Sequence, residues 1–176
     1  MAKAEPYPKM QFAEKYCEFS YASPLGNLLL TFRKDSLCGL RFAGETEPAM
    51  QADCSEAAAP AAVVRFLDDY FAGRNPEPSS VRLSLRGTSF QQRVWQQLLR
   101  IPYGSTVTYG ELSGRIARKT GVERMSAQAV GQAVGRNPVA IIIPCHRVIG
   151  AGGRLTGYAW GVERKKALLE LERKSF

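Results

Sequence analysis

The feature that most constrains the fold of this chain is a proline-rich segment at residues 75–80 that separates two unlike halves. Residues 1–81 carry 8 Lys and Arg against 11 Asp and Glu, whereas residues 82–176 carry 16 against 5. Domain boundaries fall in such proline-rich, polar segments, and here the charge balance changes sign beside it. We therefore predict two domains, residues 1–81 and residues 82–176.

The first half has the pattern of an antiparallel sheet followed by a helix. Strand-forming residues occupy 16–21, 28–32 and 37–42, with turn-forming residues between them. Apolar residues then recur at helical spacing over 61–71, and residues 81–85 have the composition of one more strand. The first half is thus predicted to be an α/β unit.

The second half is predicted to be mostly helical. Thr88 and Gln91 match a capping box at the start of a helix. Residues 109–118 and 126–134, the latter with Ser126 as its N-cap, form two short helical segments joined by a turn, which is typical of a helix-turn-helix. Four glycines within 150–157 predict a tight hairpin or wing, and 162–174 predict a last helix. The positive charge favours a polyanionic partner, and a solvated basic surface is the alternative. The small side chains within 127–133 would allow close approach to a backbone or a groove, and tight packing between helices is the alternative.

Cys145 is the candidate for chemistry because the only histidine of the chain, His146, follows it at once, and Arg147 comes next. A thiol reacts as its thiolate, which neighbouring cations or a basic partner favour. Since adjacent side chains diverge, we expect a water to bridge Cys145 and His146, and a carboxylate to orient the imidazole. Sequence spacing does not show which acidic residue of the second half supplies this carboxylate; the candidates are Glu111, Glu123, Glu163, Glu170 and Glu172. The alternative interpretation of Cys145 is a buried structural cysteine.

Neither a metal site nor a membrane segment is predicted. The four cysteines lack CxxC spacing, and one histidine is too few for a Cys/His cage. No apolar run approaches the roughly 20 residues that span a bilayer, and the first residues lack the apolar core of a signal peptide. We therefore expect a cytoplasmic protein without a metal or cofactor.

The sequence around the thiol, Ile142-Ile143-Pro144-Cys145-His146-Arg147-Val148-Ile149, resembles the active-site signature of the 6-O-alkylguanine-DNA alkyltransferases, also called methylated-DNA–protein-cysteine methyltransferases. Further blocks similar to that family occur in the family's order at 87–95, 101–104, 108–112, 129–131, 137–138 and 157–158. The resemblance is strong over about residues 86–173 and loose over the first half.

The resemblance implies both a fold and a reaction. The N-terminal domain would be a ribonuclease-H-like α/β domain with an antiparallel sheet and a helix, and the C-terminal domain a mostly α winged helix-turn-helix. The protein would repair DNA directly: the damaged guanine is flipped out of the duplex, and Cys145 takes its 6-O-alkyl group irreversibly, once per molecule. The partner would be double-stranded DNA containing alkylated guanine, 4-O-methylthymine is a further candidate substrate, and a monomer needing no cofactor is expected.

The resemblance also implies roles for individual residues. His146 would take the thiol proton through water, Glu172 would orient His146, and Tyr109 would help rotate the nucleotide and donate a hydrogen bond to the base. Asn137 would tie the recognition helix to the active-site turn. Contacts with the base or the DNA are implied for Ser126, Ala127, Gln128, Arg136, Asn137, Arg147, the Val148 carbonyl, Tyr158 and Ala159.

The chain departs from the family at Gln128, where many members place an arginine that fills the gap left by the flipped base. Glutamine can fill space and hydrogen-bond the orphaned cytosine, but it brings no charge. Two other functions are alternatives for these residues: a winged-helix protein that binds DNA without transfer, and a cysteine hydrolase that uses a Cys–His pair. A related group that replaces the cysteine is disfavoured because Cys145 is present.

Overall fold

The computed structural model of the protein describes residues 16–44 and 58–174. The first part is an antiparallel sheet of three strands in the order β1-β2-β3: β1 (Tyr16–Ser23), β2 (Gly26–Arg33) and β3 (Ser36–Phe42). The first turn uses Gly26, whose φ of 108° favours glycine. All three strands were predicted, and each extends slightly beyond its predicted ends because the turns between them are tight.

Helix α1 (Ala58–Phe71) covers one face of this sheet. Its apolar stripe, predicted from helical spacing, is buried in the same cluster as the inward side chains of the strands. Full burial of a large apolar side chain contributes about 1.5–3 kcal/mol each. The members of the stripe are Val63, Phe66, Leu67 and Tyr70.

The strand predicted at residues 81–85 does not form. Leu83 makes only an isolated parallel bridge with Leu37, through hydrogen bonds from Leu37 N to the Arg82 carbonyl and from Ser84 N to the Leu37 carbonyl. The segment follows a short 3-10 turn at Pro78–Ser80 and soon leaves the sheet toward the next helix. It touches β3 for too few residues to build a ladder.

The second part contains four of the described helices: α2 (Ser89–Leu98), α3 (Tyr109–Thr120), α4 (Ala127–Gly135) and α5 (Val162–Lys174). The predicted capping box of Thr88 and Gln91 begins α2, and Thr108 with Glu111 forms a second one at α3. Ser126 caps α4 as predicted. Helices α3 and α4 pack on each other as the helix-turn-helix, with α4 in the position of the recognition helix.

Two short strands, β4 (Val107–Thr108) and β5 (Val148–Ile149), pair in parallel beside α3. Residues 150–157, predicted as a hairpin or wing, form a loop with a 3-10 turn at Ala151–Gly153, closed by a hydrogen bond from Gly150 N to the Arg154 carbonyl. Glycines with positive φ turn the backbone here too sharply for a paired ladder.

The two parts pack against each other along the segment that precedes the thiol. Leu40 of β3 exchanges backbone hydrogen bonds with this segment, from Leu40 N to the Pro138 carbonyl and from Ala140 N to the Leu40 carbonyl. The central sheet strands and the helices of the second part therefore share one hydrophobic cluster. Within residues 16–44 and 58–174, no helix has both the length and the apolar character needed to cross a bilayer.

Candidate active site

Cys145 stands at the start of a short 3-10 helix, Cys145–Arg147, directly after a fully buried apolar run at 139–143. Within that run Ile141 has a φ of 67°. A β-branched residue rarely adopts this left-handed conformation, which costs about 1–3 kcal/mol and is found where the surrounding structure enforces it. The backbone before the thiol is therefore held in a turn by its packing and not by local preference.

Asn137 fixes this turn from the end of α4. Its Nδ2 donates to the Ile143 carbonyl at 2.8 Å and lies 3.1 Å from the Cys145 Sγ, while its Oδ1 accepts from Val139 N at 3.0 Å. The side chain is buried, so each of these bonds replaces one to water. The structure thus brings Asn137 to the junction of the recognition helix and the thiol.

His146 and Glu172 form a closely bonded, fully buried pair. The Nε2 of His146 lies 2.6 Å from the Oε1 of Glu172, on α5, and both side chains are 0% exposed. Of the acidic residues that spacing left open, the fold brings Glu172 against the imidazole. An ionised carboxylate only accepts hydrogen bonds, so the contact holds the tautomer with its proton on Nε2 and leaves Nδ1 as an acceptor.

The carboxylate of Glu172 is surrounded by further donors. Arg147 donates from Nε to Oε2 at 2.9 Å and from Nη2 to Oε1 at 3.0 Å, Gly104 N donates to Oε2 at 3.0 Å, and Tyr70 Oη donates to Oε1 at 2.8 Å. Burial alone would raise the pKa of Glu172, but His146 and then Arg147 outweigh it and lower the pKa to about 2. Glu172 therefore stays ionised.

Burial dominates at His146 and lowers the pKa of its imidazole below the ordinary 6.5, although the Glu172 carboxylate opposes this. The imidazole is therefore neutral at neutral pH and can accept a proton. Its Nδ1 is buried and makes no hydrogen bond to the protein atoms of the described residues. This nitrogen is the free acceptor of the pair.

Cys145 is 5% exposed as a residue and lines a cavity of about 250 Å³. Burial raises the pKa of the thiol to about 11, while the Asn137 amide and the positive charge of Lys165 act in the opposite direction. The free protein therefore holds a protonated thiol at neutral pH. The walls of the cavity are formed by Tyr109, Gly131, Val134, Gly135, Gly157, Tyr158, Ala159 and Trp160.

The cavity lies between the recognition helix and a group of packed aromatic side chains. Gly131 and Gly135 belong to α4, so the cavity borders the recognition helix, and a Cβ at Gly131 would meet the Tyr109 ring at 3.7 Å. Tyr158 packs on Trp160, with ring centroids 5.2 Å apart, and Trp160 reaches Phe42 of the sheet at 6.2 Å. The buried hydroxyl of Tyr158 makes no hydrogen bond within the described residues.

The residues predicted to contact DNA divide into two groups. Ser126, Ala127, Gln128 and Arg136 are exposed at the two ends of α4. Arg147, in contrast, is buried with its guanidinium bonded to Glu172 and, at 2.7 Å, to the Ile101 carbonyl. Its donors are thus engaged inside the protein and do not face a phosphate.

Val148 is also buried, in β5, and is not among the residues that line the cavity, whereas Ala159 is exposed.

Sequence reasoning missed two buried polar groups. Lys165 on α5 is fully buried and donates to the Thr156 carbonyl at 2.9 Å, and Tyr70 contacts Glu172. Helical spacing predicted a core position for Tyr70, and no pattern singled out Lys165. For Tyr70 the available signal was a tyrosine hydroxyl in a buried stripe, which needs a hydrogen-bond partner.

Within the described stretches, no group of three or more His, Cys, Asp or Glu side chains is arranged to hold a metal ion. The thiol, the imidazole and the carboxylate form the chemical centre of the site. The arrangement can present a nucleophilic sulfur to a flat ligand in the cavity and pass its proton to the imidazole.

Both halves of the chain match domains of one known protein family. Residues 16–85 match the ribonuclease-like domain of 6-O-methylguanine DNA methyltransferase, and residues 89–174 match its DNA-binding domain. The methylated-DNA–protein-cysteine methyltransferase of Mycobacterium tuberculosis is 49% identical over 86% of this chain and 88% of its own length. That of Mycobacterium leprae is 50% identical over 88% of this chain and 90% of its own.

Solved structures agree. The M. tuberculosis O6-methylguanine methyltransferase superposes with a TM-score of 0.77 at 44% identity, covering 92% of this chain and 95% of that one. The M. tuberculosis protein in complex with DNA superposes with a TM-score of 0.77 at 46% identity, covering 90% of this chain and 93% of that one. The N-terminal α/β domain and the C-terminal helical DNA-binding domain are as predicted, and the chain belongs to the 6-O-methylguanine DNA methyltransferase family.

Proposed function

We propose that this protein repairs alkylated DNA by transferring the alkyl group from the 6-oxygen of guanine to the Sγ of Cys145. The observation that carries the proposal is the buried thiol in the wall of a cavity beside the recognition helix, backed by the His146–Glu172 pair. The relatives named methylated-DNA–protein-cysteine methyltransferases, and one whose structure is in complex with DNA, support the same reaction.

Duplex DNA would bind across the two ends of α4. Ser126, Ala127 and Gln128 are exposed at its first turn and Arg136 at its last. Basic side chains hold the phosphate backbone regardless of sequence. A stacked guanine cannot reach the thiol because the thiol lies inside a cavity, so the damaged nucleotide must rotate out of the duplex before it reacts.

The cavity would hold the flipped base between its aromatic walls. We propose that Tyr109 donates a hydrogen bond from its hydroxyl to the base, since burial raises the pKa of this hydroxyl and keeps its proton in place. Tyr158 and Ala159 are proposed to hold the guanine edge, together with the carbonyl of Val148. The cavity is slightly smaller than the roughly 300–1,000 Å³ typical of ligand sites, which suits a single planar base.

The proposed transfer balances as a displacement at carbon. The thiol proton moves through a water to Nδ1 of His146, while Glu172 holds the other ring nitrogen. The sulfur forms a bond to the alkyl carbon, the bond from this carbon to the guanine oxygen breaks, and its electron pair stays with the guanine. The leaving guanine takes up a proton through the Tyr109 hydroxyl, and the proton held by His146 is returned through the water, so guanine is restored with no net gain or loss of protons. Asn137 is proposed to hold the sulfur in line through the contact at 3.1 Å.

The product is a thioether, which is a poor leaving group and is not cleaved by cellular thiols. Each molecule of protein would therefore act once.

We further propose that the chain is organised as an N-terminal domain of residues 1–81 and a C-terminal domain of residues 82–176. The turn at Pro78–Ser80 and the change in charge balance support this division.

The test is intact-mass analysis of the full chain after incubation with a duplex that contains 6-O-methylguanine. We expect a gain of one methyl group per molecule, located on the peptide of Cys145, and no gain with the matched unmethylated duplex. Cys145→Ala is expected to bind the duplex without gaining mass, and Cys38→Ala, which changes a cysteine of the sheet, to react like the wild type.

Other outcomes would contradict the proposal. DNA binding without a mass gain would indicate a binding protein that lacks transfer. Repeated turnover of an ester or amide, dependent on Cys145, would indicate a cysteine hydrolase.

A further inference from the structure

Tyr70 brings the N-terminal part of the chain into direct contact with the proton-accepting pair. It lies in the last turn of α1, and its hydroxyl donates to the Oε1 of Glu172 at 2.8 Å. The same hydroxyl oxygen lies 3.3 Å from the Nε2 of His146. The two residues that it joins are 76 and 102 positions away along the sequence.

The side chain of Tyr70 is held rigidly in this position. It is 1% exposed, and its ring stacks on Phe66 with an interplanar angle of 9°. Phe71 and Tyr103 meet the ring edge-on, with centroids at 5.4 and 5.8 Å. A ring packed on several sides cannot swing away, so the hydroxyl stays directed at the carboxylate.

The contact matters because Tyr70 and His146 share one oxygen of Glu172. Oε1 accepts from Tyr70, from Nε2 of His146 and from Nη2 of Arg147, so the position of this oxygen, which Tyr70 and Arg147 both help to fix, sets the position and tautomer of the imidazole. Burial and the Glu172 charge raise the pKa of Tyr70 well above 10, so its hydroxyl remains a donor at neutral pH.

We propose that Tyr70 is a positioning residue for alkyl transfer, through which the N-terminal domain fixes the Glu172 carboxylate and thereby the orientation and basicity of His146. This inference rests on the proposed function. Tyr70 does not touch the cavity and acts only through Glu172 and His146.

The sign of the effect on basicity follows from charge. A hydroxyl that donates to Oε1 withdraws part of the negative charge that would otherwise stabilise the imidazolium. Its removal leaves more charge on Oε1, so the pKa of His146 should rise. The other charged or titratable groups around the pair are unchanged by the substitution. They are Cys145 and Arg147 on the active-site turn, Tyr158 in the cavity wall, Lys165 on α5, and Tyr103 in the loop after α2.

The test compares Tyr70→Phe with Tyr21→Phe in the full chain. Tyr21 is the matched control because its hydroxyl also donates to a carboxylate at 2.8 Å. That carboxylate belongs to Asp68, which lies on α1 like Tyr70, but this contact is at the surface. For Tyr70→Phe we expect the second-order rate of methyl transfer to fall about tenfold, DNA affinity to stay unchanged, and the acid limb of the pH–rate profile to move to higher pH. Tyr21→Phe should change none of these.

A second measurement is independent of transfer. Because the chain has a single histidine, a sample with ¹⁵N-labelled histidine reports only His146. We expect the Nε2–H tautomer in the wild type and a higher pKa of His146 in Tyr70→Phe, with Tyr21→Phe matching the wild type. Should Tyr70→Phe not fold, a wild-type spectrum with the proton on Nδ1 would still overturn the inference.

The outcomes separate the inference from the function on which it rests. A wild-type protein that gains no methyl group refutes the proposed function. A wild type that reacts, together with a Tyr70→Phe variant that keeps the wild-type rate and acid limb, overturns the role of Tyr70. Equal losses in Tyr70→Phe and Tyr21→Phe overturn it as well, because they would reflect packing of α1 alone.

Discussion

Replacement of Glu172 by glutamine removes a negative charge that is fully buried against Arg147 and His146. Removing one partner of a buried ion pair costs about 3–5 kcal/mol, because it leaves the other charge without compensation. The pKa gives a similar figure: its lowering from 4.5 to about 2 corresponds to about 3 kcal/mol. Glu172→Gln should therefore lose about 3–5 kcal/mol of unfolding free energy at pH 7 and should slow transfer without weakening DNA binding.

The stability that Glu172 contributes should depend on pH in a direction set by its lowered pKa. Because the pKa of Glu172 is lower in the folded protein, its contribution to stability is present above about pH 4.5 and is lost as the pH falls toward 2. The stability gap between the wild type and Glu172→Gln should therefore narrow as the pH is lowered below 4.5.

Urea unfolding at several pH values measures both quantities, with methyl transfer and duplex binding assayed on the same samples. Glu170→Gln is the control, since it makes the same chemical change on the exposed face of the same helix and should alter stability by no more than about 0.5 kcal/mol. A Glu172→Gln protein as stable as the wild type at pH 7, or a gap that stays constant down to pH 3, would refute the reasoning.

Three further results are expected. The rate of methyl transfer should be nearly constant from pH 8 to 6.5 and should fall at lower pH, because burial lowers the pKa of His146 and only the neutral imidazole accepts a proton. Stopped-flow rates that begin to fall above pH 7 would contradict this prediction. Gln128→Arg adds a positive charge at the exposed first turn of α4, so the plot of log affinity for DNA against log salt should steepen by about one unit. An unchanged slope in a salt titration would mean that this side chain lies away from the DNA. Asn137→Ala leaves the buried Val139 N–H without its partner, whereas the Ile143 carbonyl still accepts from Cys145 N, so urea unfolding should show a loss of about 1–3 kcal/mol. A smaller loss would argue against a fixing role.

Local features of the chain were predictable because they depend on neighbouring residues alone. Thr88 and Gln91 begin α2 as a capping box, since a side chain and the backbone three residues away suffice for it. The strand expected at residues 81–85 was wrong for the opposite reason. Its composition suits a strand, but strand formation needs a partner along its length, and β3 offers one only at Leu37.

The candidate site divides in the same way. The adjacency of Cys145 and His146 is written in the sequence, and the resemblance pointed to Glu172. The resemblance implied that Arg147 contacts the base or the DNA, yet its guanidinium lies inside the protein, where it neutralises the buried Glu172 carboxylate. Tyr70 was indistinguishable from an apolar core residue, because helical spacing reports which face is buried and not which polar group the face will meet.

The sequence by itself determined the order of elements, the basic second half and the placing of the lone histidine beside the thiol, all of which follow from composition or short-range spacing. Only the tertiary structure decided that α5 brings Glu172, and α1 brings Tyr70, to the imidazole from positions 102 residues apart in the chain. Such contacts join residues far apart in sequence, and they exist only because the packing of the shared core brings the two parts together.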